Sequence, residues 1–139
     1  MEEVRIDGIL CAIIIDALDD EPGIKFFTDP SLSQQLASMS YRAGKIILAH
    51  THNPTERLVH MTQEALFIRR GRLRVDFYDV GQVWRLSRVL SAGDVILLVA
   101  GGHGFEVLED LNMIEVKQGP YAGDQDKTVF EPRLRAPGC

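Results

Sequence analysis

The stretch "RLRVDFYDVGQVWRLSRVL", residues 72–90, decides the fold of this chain. Leu73, Val75 and Phe77 alternate with polar residues, and this period of two predicts a β-strand with one buried face. The segment "YDVGQV" has the residues typical of a turn, and a second run rich in Leu and Val follows it. We therefore expect two antiparallel strands joined by a hairpin loop.

Short apolar or alternating runs, separated by Gly, Asp, Asn and Pro, occur along most of the chain. They predict strands near 9–15, 35–42, 45–50, 64–70, 72–79, 84–90, 94–99, 104–108 and 112–118, with a turn at "SAGD", 91–94. The stretch "DPSLSQQLASM" either forms a short helix, capped by Asp29 with Pro30 in the first position, or leads into a strand. Many short strands must close on themselves to protect their edges, so the expected fold is an all-β sandwich or barrel.

Length and composition set bounds on the kind of protein. With 139 residues, 45% of them hydrophobic, the chain has room for one domain, and its tail is polar from about residue 124. The net charge is −5 and no basic stripe occurs, so nucleic acid is not an expected partner. The apolar run 8–15 is too short to cross a bilayer and wrongly flanked for a signal peptide, which predicts a soluble cytoplasmic protein. Cys11 and Cys139 do not make a disulfide framework, and Cys11 is expected in the core.

The candidate chemistry lies in "ILAHTHNPTERLVHMTQEALFIRRG", residues 47–71. On a strand, His50 and His52 would point to the same side, and Glu64 on the next strand would face them if the two strands paired. With His103 in "AGGHGF" as a fourth ligand, this set suits a divalent transition metal, namely Zn, Fe, Mn, Ni or Co. The alternative is that the histidines only form hydrogen bonds at the rim of the sheet, with an arginine beside the carboxylate.

These residues resemble the motifs of the cupin family. The residues that match the two cupin motifs are Gly44, His50, His52, Glu64 and Gly71 in the first and Gly93, Gly101 and His103 in the second. The chain departs from the pattern in three places: eleven residues separate His52 from Glu64, Val99 stands where the family has Pro, and His103 comes one residue early. The resemblance implies a double-stranded β-helix, a small jelly-roll-like barrel, with its metal-binding core at about 44–118.

The closing stretch "MIEVKQGPYAGDQDKTVFE" resembles the end of the WbuC-type cupins, which occur among genes for bacterial surface-polysaccharide synthesis. It is also similar to sugar-nucleotide ketoisomerase cupins. Glu115 and Lys117 share one face of a predicted strand, and Tyr121 follows the Gly-Pro that ends it. These three are candidate substrate-binding residues. The alternatives are a surface ion pair for the first two and a cap on the barrel rim for the tyrosine.

The resemblance predicts a metal-binding cupin that acts on a sugar or nucleotide-sugar, as an isomerase or epimerase with the metal as a Lewis acid. His60 is the candidate for proton transfer, because histidine titrates near neutral pH, and it is alternatively a metal ligand. Two other functions stay open: a non-catalytic module that binds a carbohydrate or small anion, and an iron-dependent oxygenase. Free strand edges and the apolar strand near 9–15 predict a homodimer formed by strand exchange or edge pairing.

Overall fold

Two antiparallel sheets make up the computed structural model, which describes residues 1–133. The strands are β1 Glu2–Ile6, β2 Ile9–Ile15, β3 Gly23–Phe26, β4 Ala37–Ser40, β5 Glu64–Tyr78, β6 Trp84–Ser91, β7 Val95–Leu98 and β8 Gly102–Lys117, and a 3-10 turn occupies Gly123–Asp126. The larger sheet has the order β1-β2-β7-β5-β6, with β8 paired to the other edge of β5, and β3 pairs with β4 in the smaller sheet. The predicted all-β class is confirmed, in the form of a curled antiparallel sheet.

The main core fills the inside of this curl. Its buried side chains are Val4, Ile6, Cys11, Ala12, Ile14, Leu66, Ile68, Leu73, Val75, Phe77, Leu90, Ile96 and Leu98. Leu73, Val75 and Phe77 are at most 1% exposed, which confirms the buried face predicted for residues 72–77. The prediction that Cys11 is a core residue is also confirmed, since it is 3% exposed; Cys139 lies outside the described residues.

The segment that contains β3 and β4 covers the outer face of the sheet. Phe27 and Leu36 pack against Ile13 and Ile15, which point away from the main core because successive strand residues face opposite sides. The central strands are therefore buried on both faces. This explains why the stretch 9–15 is apolar at every position instead of alternating.

A long ribbon made of β5 and β8 dominates the larger sheet. It pairs residues over its whole length, from Glu64 opposite Lys117 to Tyr78 opposite Gly102. The first half of β5 also pairs with β7, and the second half pairs with β6. The strands predicted at 64–70 and 72–79 are thus one continuous strand, as are those at 104–108 and 112–118.

Gly71 marks the place where the ribbon bends. Its φ is 87°, in the left-handed region, and the register with β8 shifts on both sides of it. A Cβ atom at this position would lie 2.2 Å from the carbonyl oxygen of Asp110. This oxygen belongs to the backbone of β8, so it could move only if the strand itself shifted. Only glycine lets the two strands stay this close through the bend.

The region before β5 settles one open alternative and contradicts one sequence prediction. The stretch 29–39 leads into the strand β4 and does not form a short helix, because side chains take up the backbone groups that a helix would use. Asp29 Oδ1 accepts from the Ser31 amide at 2.8 Å, and Gln35 Nε2 donates to the carbonyls of Asp29 and Leu32. The strand predicted at 45–50 is also absent: this part of the chain is irregular and has no hydrogen-bonded partner strand within residues 1–133. The turns predicted at 78–83 and 91–94 are present.

No helix in the described part of the chain has the length and apolar character needed to cross a membrane.

The first prediction concerns Gly71→Ala. Gly8 has a similar φ of 84° but no heavy atom within 4 Å of its ideal Cβ, so Gly8→Ala is a matched control for backbone strain alone. We expect Gly8→Ala to lower the free energy of unfolding by about 1–2 kcal/mol and Gly71→Ala to lower it by more than about 3 kcal/mol, because a steric clash with β8 is added. Chemical denaturation measures both, and equal losses would contradict the proposed role of the bend.

Candidate functional site

A pocket of about 640 Å3 lies at the end of the curled sheet where both ends of the β5–β8 ribbon meet. Its lining combines the start of β5, the end of β7, both ends of β8 and the segment after Lys117. The side chains that matter for its chemistry are Glu64, Tyr78, His103, Phe105, Glu115, Lys117, Asp126, Lys127 and Phe130. Residues more than fifty positions apart in sequence therefore share one cavity.

Glu64 lies at the centre of the polar side of this pocket. It is the first residue of β5 and precedes Leu66 and Ile68, which face the main core, so strand parity turns its carboxylate to the same inner side. Its Oε2 lies 3.5 Å from His103 Nε2 and its Oε1 lies 3.8 Å from Lys117 Nζ.

The surroundings of Glu64 keep it ionised. Hydrogen bonding to His103 lowers the pKa of this carboxyl below its ordinary value of 4.5, and the charges of His103, Lys117 and Lys127 act in the same direction. Burial opposes this shift, since the side chain is only 19% exposed, but does not outweigh it. Within residues 1–133, the side chains that contact the Glu64 carboxylate are thus those of a histidine and a lysine, and not of an arginine.

His103 is the second residue of β8, and its side chain lines the pocket. It pairs with Phe77 across the ribbon, and directly opposed residues of an antiparallel pair project to the same face, so its ring follows Phe77 to the inner side. The ring of Phe105 lies beside it, with 5.4 Å between centroids. The glycines on both sides of His103 leave room for Tyr78 and Phe130, whose atoms lie 3.0–3.5 Å from the ideal Cβ positions.

Lys117 joins the pocket to the chain that follows β8. Its Nζ lies 3.7 Å from Asp126 Oδ2, and Asp126 Oδ1 accepts a hydrogen bond of 3.0 Å from the hydroxyl of Thr62. Lys117 therefore lies between two carboxylates, Glu64 on β5 and Asp126 in the 3-10 turn. This pair of contacts holds the polar tail across the start of β5.

The tail supplies one wall of the pocket, which the sequence analysis did not identify. Phe130 packs its ring at 5.3 Å from the ring of Tyr78, edge to face, and backbone hydrogen bonds of Arg133 with Gln82 and Trp84 fix the chain beyond it. The polar tail thus packs onto the curled sheet as far as residue 133, and the rest of it is outside the described residues. In the sequence, the one local sign of this wall is that Val129 and Phe130 are apolar within an otherwise polar stretch, which does not reveal what they contact.

The predicted site residues are divided between the pocket and solvent. Glu64, His103, Glu115 and Lys117 line the pocket. His50, His52, His60 and Tyr121 are exposed, and none of them is among the lining residues. The rings of His50 and His52 contact each other edge to face at 5.3 Å, and His50 Nδ1 lies 3.0 Å from the carbonyl oxygen of Leu48.

The predicted metal ligands do not form a ligand set in this arrangement. Glu64 and His103 are together, whereas His50 and His52 lie in the irregular segment before β5. Within residues 1–133, no three His, Cys, Asp or Glu side chains form a group that could hold a metal ion. The donors as placed do not fit the predicted transition metal, so the metal stays a sequence prediction, as do the Lewis-acid and oxygenase functions that depend on it.

Comparison of this chain with protein-family models, with curated proteins and with solved structures finds no match.

The second prediction concerns the acid stability that Glu64 confers. Its pKa is lower in the folded than in the unfolded chain, so its contribution to stability is complete above the unfolded value near 4.5 and is lost as pH falls through the folded value. We expect Glu64→Gln to be less stable than the native chain at pH 7, and the gap to close on acidification below about pH 4.5. Glu115→Gln is the control, because Glu115 lines the same pocket but is exposed. Denaturant unfolding between pH 3 and 7 measures this, and a gap for Glu64→Gln that does not change with pH would contradict it.

Proposed function

We propose that this chain binds a small polyhydroxylated molecule, a sugar or the sugar part of a nucleotide-sugar, in the pocket at the end of the curled sheet. The observation that carries the proposal is that Glu64, held between His103 and Lys117, stands in a cavity of about 640 Å3. This volume is in the range of small-molecule sites, about 300–1,000 Å3.

The polar groups of the pocket match the hydrogen-bonding capacity of a sugar. Each sugar hydroxyl donates one hydrogen bond and accepts others, and the pocket offers acceptors in Glu64, Glu115 and Asp126 and donors in Lys117 and His103. Hydrogen bonds to charged groups are the stronger ones, so a few of them fix the orientation of a ligand. The half-buried ring of Phe130, which packs against Tyr78, provides a flat apolar face for the ring of a sugar.

The balance of charges favours a sugar over a free anion. Three carboxylates line the pocket and only two lysines, Lys117 and Lys127, accompany them. Lys117 is already close to two of those carboxylates, so little positive potential is left to attract a small anion. The cupin resemblance and the polysaccharide-type ending of the sequence support the same ligand class, and the double-stranded β-helix is part of this proposal.

The third prediction tests ligand binding with uridine diphosphate glucose, glucose 1-phosphate and free glucose as probes. We expect titration calorimetry to detect binding of at least one of them, and Lys117→Met to weaken it about tenfold or more, because a charged donor is lost from the polar side of the pocket. Lys25→Met is the matched control, since Lys25 also lies between two carboxylates, Asp19 and Glu21, but outside the pocket.

Absence of binding to all three probes at millimolar concentration would contradict the proposal. So would binding that Lys117→Met and Lys25→Met leave equally strong, because the ligand would then occupy another part of the surface.

A second candidate function, isomerisation or epimerisation of the bound sugar, is favoured by the contact between His103 and Glu64. In such a reaction a base removes the proton from the carbon beside a carbonyl, the electron pair moves to the carbonyl oxygen, and a proton returns to carbon. With His103 Nε2 donating toward Glu64, the other ring nitrogen is left to accept the proton, and the ammonium of Lys117 stabilises the charge on oxygen. His103 thus replaces His60 as our candidate for proton transfer.

The fourth prediction separates these two histidines. When aldose phosphates, ketose phosphates and nucleotide-sugars are incubated with the protein in D2O, we expect deuterium to enter the sugar at carbon. His103→Gln should slow this by about a hundredfold or more, whereas His60→Gln should not change it, because His60 is exposed outside the pocket. Loss of exchange in His60→Gln alone would return the role to His60, and no exchange with any sugar would leave binding as the function.

A further inference from the structure

The segment between β4 and β5, residues 41–62, is exposed at every position. We call it the connecting segment. Ile46 and Leu48, in the predicted strand 45–50, are 77% and 81% exposed, and Leu58 further along is 79% exposed. Both ends of the segment are fixed: Ser40 pairs with Gly23, and Gln63 hydrogen bonds to Gln34 and Gln118. These apolar side chains are exposed to water although both ends of the segment are fixed. Covering them with another apolar surface would lower the free energy of the protein.

A second apolar surface lies on β8. No strand within residues 1–133 pairs with the edge of β8 that faces away from β5, so its amide and carbonyl groups are free to bond. The inner face of the strand is open as well, and Phe105 and Val107 are 43% and 59% exposed. An unpaired edge beside an open apolar face is suited to accept one more strand.

The charges of the two surfaces are complementary. The connecting segment has three basic residues, Arg42, Lys45 and Arg57, against one acidic residue, Glu56. The strand β8 has four acidic residues and one basic residue, Lys117. In the described part of the chain, none of the three basic residues forms an ion pair, and neither do two of the acids, Asp110 and Glu115.

We propose that the connecting segment of one copy of this chain docks as a strand on the free edge of β8 in a second copy, and that the exchange is reciprocal. Residues 45–50 supply the strand, and Ile46 and Leu48, which share one face of it, cover Phe105 and Val107 of the other copy. Each copy has both a connecting segment and a free β8 edge. In a dimer with a twofold axis, each segment therefore pairs with the β8 edge of the other copy.

Two other dimers are disfavoured by the same observations. An antiparallel pair of β8 edges would bring Glu109 and Asp110 of both copies together near its centre, which costs free energy through like-charge repulsion. Edge pairing through β2, the apolar strand of the sequence prediction, has no free edge to use, because β2 lies between β1 and β7. The connecting segment combines exposed apolar side chains with a charge opposite to that of β8.

The fifth prediction is a dimer of the full chain in light scattering that Leu48→Asp dissociates. Leu18→Asp is the control, because Leu18 is also exposed, at 86%, but lies in the loop after β2, outside both surfaces. We expect the control to stay dimeric and Leu48→Asp to raise the dimer dissociation constant about a hundredfold or more. A monomeric native chain, or a dimer that both variants leave intact, would overturn the proposal.

A cross-linking experiment keeps the proposal testable if Leu48→Asp fails to fold. One chain carries Leu48→Cys, and a separate chain carries Phe105→Cys or Val107→Cys. All of these chains also carry Cys139→Ser, so that the buried Cys11 is the one native thiol left. Mixing the chains under mild oxidation should link one Leu48→Cys chain to one β8 variant. The proposal is overturned if neither β8 position cross-links between chains, or if the disulfide forms only inside a chain that carries both substitutions, since the segment would then fold back on its own sheet.

Discussion

The close approach of β5 and β8 at Gly71 is the constraint on which the rest of the structure depends. A side chain there would meet the carbonyl oxygen of Asp110, so only glycine allows the ribbon to bend while its strands stay hydrogen bonded on both sides. The bend turns the first half of β5 toward β7 and the second half toward β6. It therefore curls the sheet around the main core.

The bend also makes the pocket. In a straight ribbon, Glu64 and Tyr78 would lie some 45 Å apart, at about 3.3 Å per residue, yet both line one cavity. The ends of β8 meet for the same reason, which places His103 beside Glu64 and Lys117. A carboxylate that is largely shielded from water is then held between two potential cations, and the low pKa of Glu64 follows from that arrangement. Stability and the proposed binding function thus share the same contacts.

Several features of the site could be read from the sequence because they depend on strand parity alone. Glu64 shares a face with Leu66 and Ile68 whatever strand lies next to it, and Glu115 and Lys117 share a face for the same reason. The gap between the strands predicted at 64–70 and 72–79 falls at Gly71, where the structure has the bend. The wall formed by Asp126 and Phe130 was not predicted, because its contacts with Thr62 and Tyr78 join parts of the chain that no local pattern connects.

The sequence by itself determined the all-β class, the buried face of residues 72–77, the core position of Cys11 and most strands, since period-two alternation and turn residues act locally. Only the tertiary structure decided which strands pair, where the ribbon bends and which polar residues meet. The segment 45–50 shows why: its residues have the composition of a strand, but a strand exists only when another backbone offers hydrogen bonds to it. Within residues 1–133 that partner is missing, so His50 at the end of this segment and His52 just beyond it stay apart from the pocket.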